Sequence, residues 1–74
     1  MFEVGQRLWI IKYDNVNKRY YCINDFVVFC IHIYDDKILY IDEHSNEEKY
    51  PNYDIFIDRG AANKEVQRRN ENNN

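Results

Sequence analysis

The sequence predicts a mainly β chain (α+β) in which short antiparallel strands are followed by one short C-terminal helix. Three observations lead there. Arg19–Tyr34 is a long run of aromatic and β-branched residues with side chains alternating between two faces, as a pleated strand requires. Turn-forming residues interrupt the chain at Asp14–Lys18, Asp35-Asp36 and Glu43–Glu48. Last, Asp58 opens a segment, Arg59–Arg68, whose composition suits a helix and whose one clear apolar pair, Ala62 and Val66, is a helical turn apart.

Taken in order, Val4-Gly5-Gln6 is a turn leading into a first strand, Arg7–Tyr13. Leu8 and Ile10 lie on one face of it, and Trp9, Ile11 and Tyr13 on the other. Asp14-Asn15-Val16-Asn17-Lys18 makes a hairpin loop. The second strand, Arg19–Tyr34, is too long to run flat, so a bend or bulge is expected near Asn24-Asp25. Asp35-Asp36 turns the chain into a third strand, Lys37–Asp42. After a polar loop, Lys49-Tyr50 and Tyr53–Ile57 supply two more short segments around Pro51-Asn52. Asp58 is the expected N-cap, with Ile57 and Ala62 placed as a hydrophobic staple. Four to five strands closing on one helix describe an SH3-like small antiparallel β-barrel. Residues 1–68 form its single domain, and the Asn-rich end, 69–74, is expected to be a disordered tail. Both faces of Phe26–Tyr34 are apolar, and the barrel and helix are expected to cover both.

Twelve aromatic residues give a chain of 74 residues a core that its length alone would leave thin. Cys22 and Cys30 would lie about 26 Å apart on one continuous strand, far beyond the ~7 Å a disulfide tolerates, so both read as free thiols. That usage fits a reducing compartment. No secretory leader is read in Met1–Arg7, and no run approaches the ~18 apolar residues of a membrane span. The expectation is a cytoplasmic protein with no membrane partner.

The chain resembles a diffuse group of short accessory proteins encoded by phages and prophages of low-GC Gram-positive bacteria. The residues that carry the resemblance are Val4-Gly5-Gln6, Asp54-Ile55-Phe56, and Asp58 through Ala62 with Glu65 and Arg69. Gln6 departs from the acid usual in the first turn, and Gly60 stands where a helix former is common. The resemblance implies a mobile-element setting, in the cytoplasm of the bacterial host, and implies no activity. Ten Asn and nine Ile agree with an AT-rich coding sequence.

Chemistry leaves few marks. Cys30 and His32 share a strand face, and Cys22 and His44 could join them, but the short paired spacing of a structural zinc site is missing. Asp35-Asp36 and Asp42-Glu43 flank one hairpin, yet neighbours on a strand point to opposite faces and do not converge on one ion. With Gly5 and Gly60 the only glycines, no phosphate loop can form, and Ser45 is the only serine. No cofactor or metal is expected, and enzyme is the least supported class.

Charge is sorted along the chain instead. Between Tyr20 and Asp58 lie nine acids and two bases, while the flanks hold eight bases and four acids, for a net charge of −3. An acidic, tyrosine-bearing segment suits a protein partner with a basic surface. The candidate binding residues are Asp35, Asp36, Tyr40, Asp42, Glu43, Glu47, Glu48, Tyr50 and Tyr53. The expected role is inhibition of a host factor or defence effector, in the manner of anti-CRISPR proteins. The alternative is a nucleic-acid accessory protein that meets phosphates with Lys18, Arg19, Lys64, Arg68 and Arg69, against which stands a pI near 5.2. A third reading, a homodimer through Phe26–Tyr34, predicts self-association that persists in high salt.

Overall fold

The computed structural model describes residues 1–72. Five strands, β1 (Arg7–Asp14), β2 (Arg19–Ile33), β3 (Ile38–Asp42), β4 (Glu48–Lys49) and β5 (Ile55–Phe56), precede one helix, α1 (Arg59–Asn72). The strands are antiparallel in the order β4-β3-β2-β1-β5. β4 and β5 thus lie at opposite edges of the sheet, although only residues 50–54 separate them. The segment leaving β4 touches β5 directly. The Ile55 N–H donates to the Tyr50 carbonyl (3.3 Å), the Asn52 N–H donates to the Ile55 carbonyl (3.1 Å), and Pro51 bridges Ile55. The sheet therefore curls until its edges meet, giving a half-barrel of the small SH3-like α+β kind.

β2 makes the curl possible. Leu8 pairs with Phe26 but Ile10 pairs with Ile23, so β2 carries one extra residue at Asn24-Asp25, where the polar pair foretold a bulge. A second irregularity follows, since Val28 pairs with Asp42 and Cys30 with Ile41. Between the two, Phe26 and Val28 point inward and join Leu8, Ile55 and Tyr40 in the buried core, with Phe2, Ile10, Ile31 and Ile38 packed around them. The hairpin loop forms as expected. The Asp14 carboxylate accepts the Val16 N–H (2.9 Å) and the Asn17 side-chain amide (2.7 Å), and Lys18 takes a left-handed backbone (φ 57°).

Asp58 caps α1, its Oδ1 accepting the Ala61 N–H at 2.8 Å. Gly60 has a reason here, because a Cβ at that position would lie 3.2 Å from the same Oδ1. The expected staple does not form: Ala62 is fully buried, but Ile57 is 62% exposed. Polar contacts do most of the docking. Asn70 accepts the Tyr20 N–H (2.7 Å) and donates to the Tyr20 carbonyl (3.2 Å) on the strand edge that β1 leaves free. Cys22 donates its S–H to Asn63 (3.1 Å), and Arg69 donates to the Tyr53 carbonyl (2.6 Å).

The helix thus runs four residues past the boundary expected at Arg68. The reason is Asn70, whose side-chain amide presents a donor and an acceptor in the pattern of a peptide group and stands in for a neighbouring strand. Asn73 and Asn74, the rest of the expected tail, lie outside the described residues. The apolar surplus of Phe26–Tyr34 also departs from expectation: Phe29 is 58% exposed and Ile33 70%, so barrel and helix do not cover both faces.

Phe26→Ala should cost about 3–5 kcal/mol, the usual loss for a buried aromatic, and leave a domain of this size largely unfolded at 25 °C. Asn70→Ala should cost about 1–2 kcal/mol by orphaning the Tyr20 backbone groups. Urea midpoints of the purified variants measure both, and equal losses would contradict the ranking.

Candidate functional site

Seven of the nine acidic and tyrosine candidates border a single edge. β4 runs antiparallel to β3, with Glu48 opposite Ile41 and Lys49 opposite Tyr40. Glu43 and Glu47 stand in the loop before β4, Glu48 within it, Tyr50 and Tyr53 in the turn after it, and Asp35 and Asp36 in the β2–β3 turn beyond. Asp35, Asp36, Lys37 and Pro51 line one shallow recess together with Ile33, Tyr34 and Ile38, of about 470 Å³. A second recess of about 380 Å³ shares Ile38 and Pro51 with it and extends to Phe2. The turn acids do not meet the loop acids, although Asp35-Asp36 and Asp42-Glu43 flank one hairpin. They stand at opposite ends of β3, about 20 Å apart at the rise of a strand.

Three cations stand beside this strip, Arg69 among them through its hydrogen bond to the Tyr53 carbonyl. Lys49 Nζ lies 3.0 Å from Glu47, and Lys37 sits over the Tyr34 ring at 5.2 Å. Glu48 accepts from the Tyr34 hydroxyl (3.4 Å) and faces His32 Nδ1 at 3.5 Å, a contact that becomes an ion pair when the imidazole is protonated. Asp35, Asp36 and Glu43 make no ion pair among the described residues. The Tyr50 and Tyr53 rings meet edge-on, 6.5 Å between centroids, and both are exposed.

Two candidates are corrected. Tyr40 is 2% exposed: its ring packs in the core 5.0 Å from that of Phe2, and its hydroxyl accepts the Phe2 N–H (3.1 Å). A phenol with such a partner can be buried whole. Asp42 is 6% exposed and its carboxylate turns inward, accepting the Val27 N–H (3.2 Å), the Ser45 hydroxyl (3.0 Å) and the Ser45 N–H (3.3 Å). Asp42 organises the loop that presents Glu43 and Glu47 and is not itself presented. Burial pushes its pKa up, but the hydrogen bonds from Val27, Ser45 and His44 outweigh that and leave it below the ordinary 3.8.

The curl leaves a polar trough of about 480 Å³ on its open side, where Asp25, Asp42, His44, Glu47 and Asp54 face Lys12 and Lys49. Among the described residues no three His, Cys, Asp or Glu side chains converge to hold a metal ion. Cys22 is engaged with Asn63 and His32 faces Glu48, so the Cys30–His32 strand face gathers no further ligand.

The basic candidates come together around the end of α1, which adjoins the strip where Arg69 donates to the Tyr53 carbonyl (2.6 Å). The Asn70–Tyr20 contact sets the start of β2, with Lys18 and Arg19, beside the helix terminus that carries Arg68 and Arg69. Arg68 pairs with Glu65, and Arg69 stacks on the Tyr20 ring at 5.8 Å. Lys64 is exposed on the same helix.

Composition and charge order did not single out Ile33, Tyr34, Ile38 and Pro51, the residues that give the acidic strip its apolar floor. The signal available was the two-sided apolar run ending at Tyr34. No family model matches the chain, and comparison with curated proteins and with solved structures likewise finds no match. No helix among the described residues is long and apolar enough to cross a membrane. The fold and surface define a small half-barrel with an acidic, tyrosine-bearing edge.

Because Asp42 titrates lower folded than unfolded, the stability it contributes is complete above pH 3.8 and drains away as pH falls through its folded value. Asp42→Asn should lose about 1–3 kcal/mol at neutral pH, since its amide nitrogen cannot accept from Ser45 or Val27. It should also flatten the acid limb of the stability curve below about pH 4. Urea denaturation across pH 2.5–7 checks both effects.

Proposed function

We propose that this chain is a non-enzymatic binding module that docks its β4 edge on a basic surface of another protein. The observation that carries the reading is the strip itself. Five exposed carboxylates, Asp35, Asp36, Glu43, Glu47 and Glu48, flank the exposed Tyr50–Tyr53 pair, with Lys49, Lys37 and Arg69 the cations beside them. Aromatic side chains bury large area at low entropic cost, and neighbouring acids steer a cationic partner and select against anionic ones. The resemblance to phage accessory proteins supports a setting inside a bacterial host, with a host factor or a defence effector as the inhibited partner.

The alternative has a specific observation in its favour. The Asn70–Tyr20 contact gathers Lys18, Arg19, Arg68 and Arg69 at one end, and Lys64 lies along the helix leading to it. A nucleic-acid backbone would find cations there. Against it, Arg69 is already committed to the Tyr53 carbonyl and Arg68 to Glu65.

The test compares the wild type with a variant carrying Asp35→Asn, Asp36→Asn, Glu43→Gln and Glu48→Gln. Both are tagged and used to capture partners from host lysate with and without nuclease. The expected result is one stoichiometric protein that survives nuclease, is lost in the variant, and binds the wild type more weakly as salt rises. Undiminished capture by the variant would overturn the electrostatic docking. Co-purifying nucleic acid, with protein lost after nuclease, would favour the basic end.

A further inference from the structure

β2 has four half-edges, and three are occupied. Over Tyr20–Val27 one edge pairs with β1 and the other is bonded at its two ends, where Asn70 of α1 takes both Tyr20 backbone groups and the Val27 N–H and C=O meet the Asp42 carboxylate and the Glu43 N–H. Over Val28–Ile33 one edge pairs with β3. The opposite edge is met only at Val28, whose N–H donates to the Gln6 carbonyl (3.0 Å) and whose carbonyl accepts from the Gly5 N–H (2.8 Å). A turn closed by the Gln6 N–H on the Glu3 carbonyl (3.1 Å) then takes the chain off this edge, toward Tyr40. From Phe29 to Ile33 no strand covers it among the described residues.

The register shows which groups are free. The Tyr34 N–H donates to the Lys37 carbonyl (2.9 Å), so Tyr34–Lys37 is a hydrogen-bonded pair, and alternation makes His32–Leu39 and Cys30–Ile41 the next two. The N–H and C=O groups of Ile31 and Ile33 therefore point away from β3. Natural sheets guard such an edge with lysine, proline or a short strand. Here the edge reads Phe29-Cys30-Ile31-His32-Ile33, without formal charge at neutral pH, in a chain whose residues are 31% charged.

We infer that this edge is a homodimer interface, in which two copies of β2 pair antiparallel about a twofold axis at Ile31. The open window is five residues long and Ile31 is its centre, so each Ile31 exchanges both backbone hydrogen bonds with its counterpart. Ile33 of each copy then lies across the seam from the bulged Phe29-Cys30 end of the other, and the seam covers Ile33 and Phe29, both exposed in the single chain. The same register carries the second copy's Asp35 and Asp36 past the end of the window to the start of β1. There Arg7, opposite Val27, is exposed, its guanidinium 3.8 Å from Asp25. At both ends of the interface the turn acids of one copy thus approach Arg7 of the other, a cation that Asp25 shares. A strand from a different protein would need to match this uncharged window, whereas a second copy matches it by symmetry. The loop acids Glu43, Glu47 and Glu48 lie on the other side of β3, whereas Ile33, Asp35 and Asp36 border both this interface and the strip proposed above.

Sedimentation of the wild type in low and high salt, with amide hydrogen exchange at two protein concentrations, tests the interface. The expected result is a dimer that survives high salt, with the Ile31 and Ile33 amides protected in the concentrated sample and exposed on dilution. Cys30 and His32, bonded to β3, should be protected in both. Ile33→Lys with Phe29→Lys changes two exposed side chains, so it should keep the circular dichroism of the wild type and sediment as a monomer. A wild type monomeric at every concentration, a dimer that persists in the double variant, or Ile31 and Ile33 amides already protected in dilute monomer would each overturn the inference. A variant carrying only Glu43→Gln and Glu48→Gln, which leaves Asp35 and Asp36 in place, should dimerise normally, which separates failure of this interface from failure of the β4 docking surface.

Discussion

The whole structure depends on one strand changing partners partway along its length. β2 pairs with β1 through Val27 and with β3 from Val28 onward, and its two irregularities let it turn between them. The residues between those points, Phe26 and Val28, are consequently the ones that face the core from both halves of the curl. Register is strict there, because a one-residue slip would send that apolar pair to solvent and bring Asp25 or Val27 inward. Leu8 from β1, Ile55 from β5 and Tyr40 from β3 converge on the same two side chains, so no strand has a core of its own.

The helix completes this arrangement by hydrogen bonding more than by apolar burial. Ala62 is its one fully buried residue, and its docking relies on Asn63, Arg69 and Asn70 reaching strand or turn backbone and the Cys22 thiol. Such bonds are modest one by one but directional, and they fix where the helix lies along β2. The consequence for function is a division of edges. The acidic strip follows β4 and its turns, the basic cluster follows the end of α1, and the two adjoin where Arg69 donates to the Tyr53 carbonyl.

Much of the fold was legible because its signals are local. Asp14–Lys18 spelled a turn, Asn24-Asp25 marked a polar interruption in an apolar strand, and Asp58 stood where a cap belongs; all three act within a few residues of themselves. The failures share the opposite property. Tyr40 is one of seven tyrosines, and only the arrival of Phe2 from the far end of the chain provides its hydroxyl with a partner and its ring with a neighbour. Asp42 read as one more loop acid, but the loop needs an inward acceptor for Val27 and Ser45. Asn70 read as tail because asparagine is a poor helix former, while its amide answers a strand edge fifty residues away. The acidic strip was legible as composition. Its contiguity was not, because it depends on β4 laying the loop and turn acids along one edge.

If one strand truly unites the two halves, they must unfold together. Urea titration followed by NMR at the Trp9 indole, in the β1–β5 half, and at the Tyr40 ring, in the β3–β4 half, tests this within one sample. The shared-strand account predicts coincident midpoints and slopes at both probes. A Tyr40 transition at clearly lower urea, with Trp9 still native, would show that the β3–β4 hairpin is an independent unit and would contradict it.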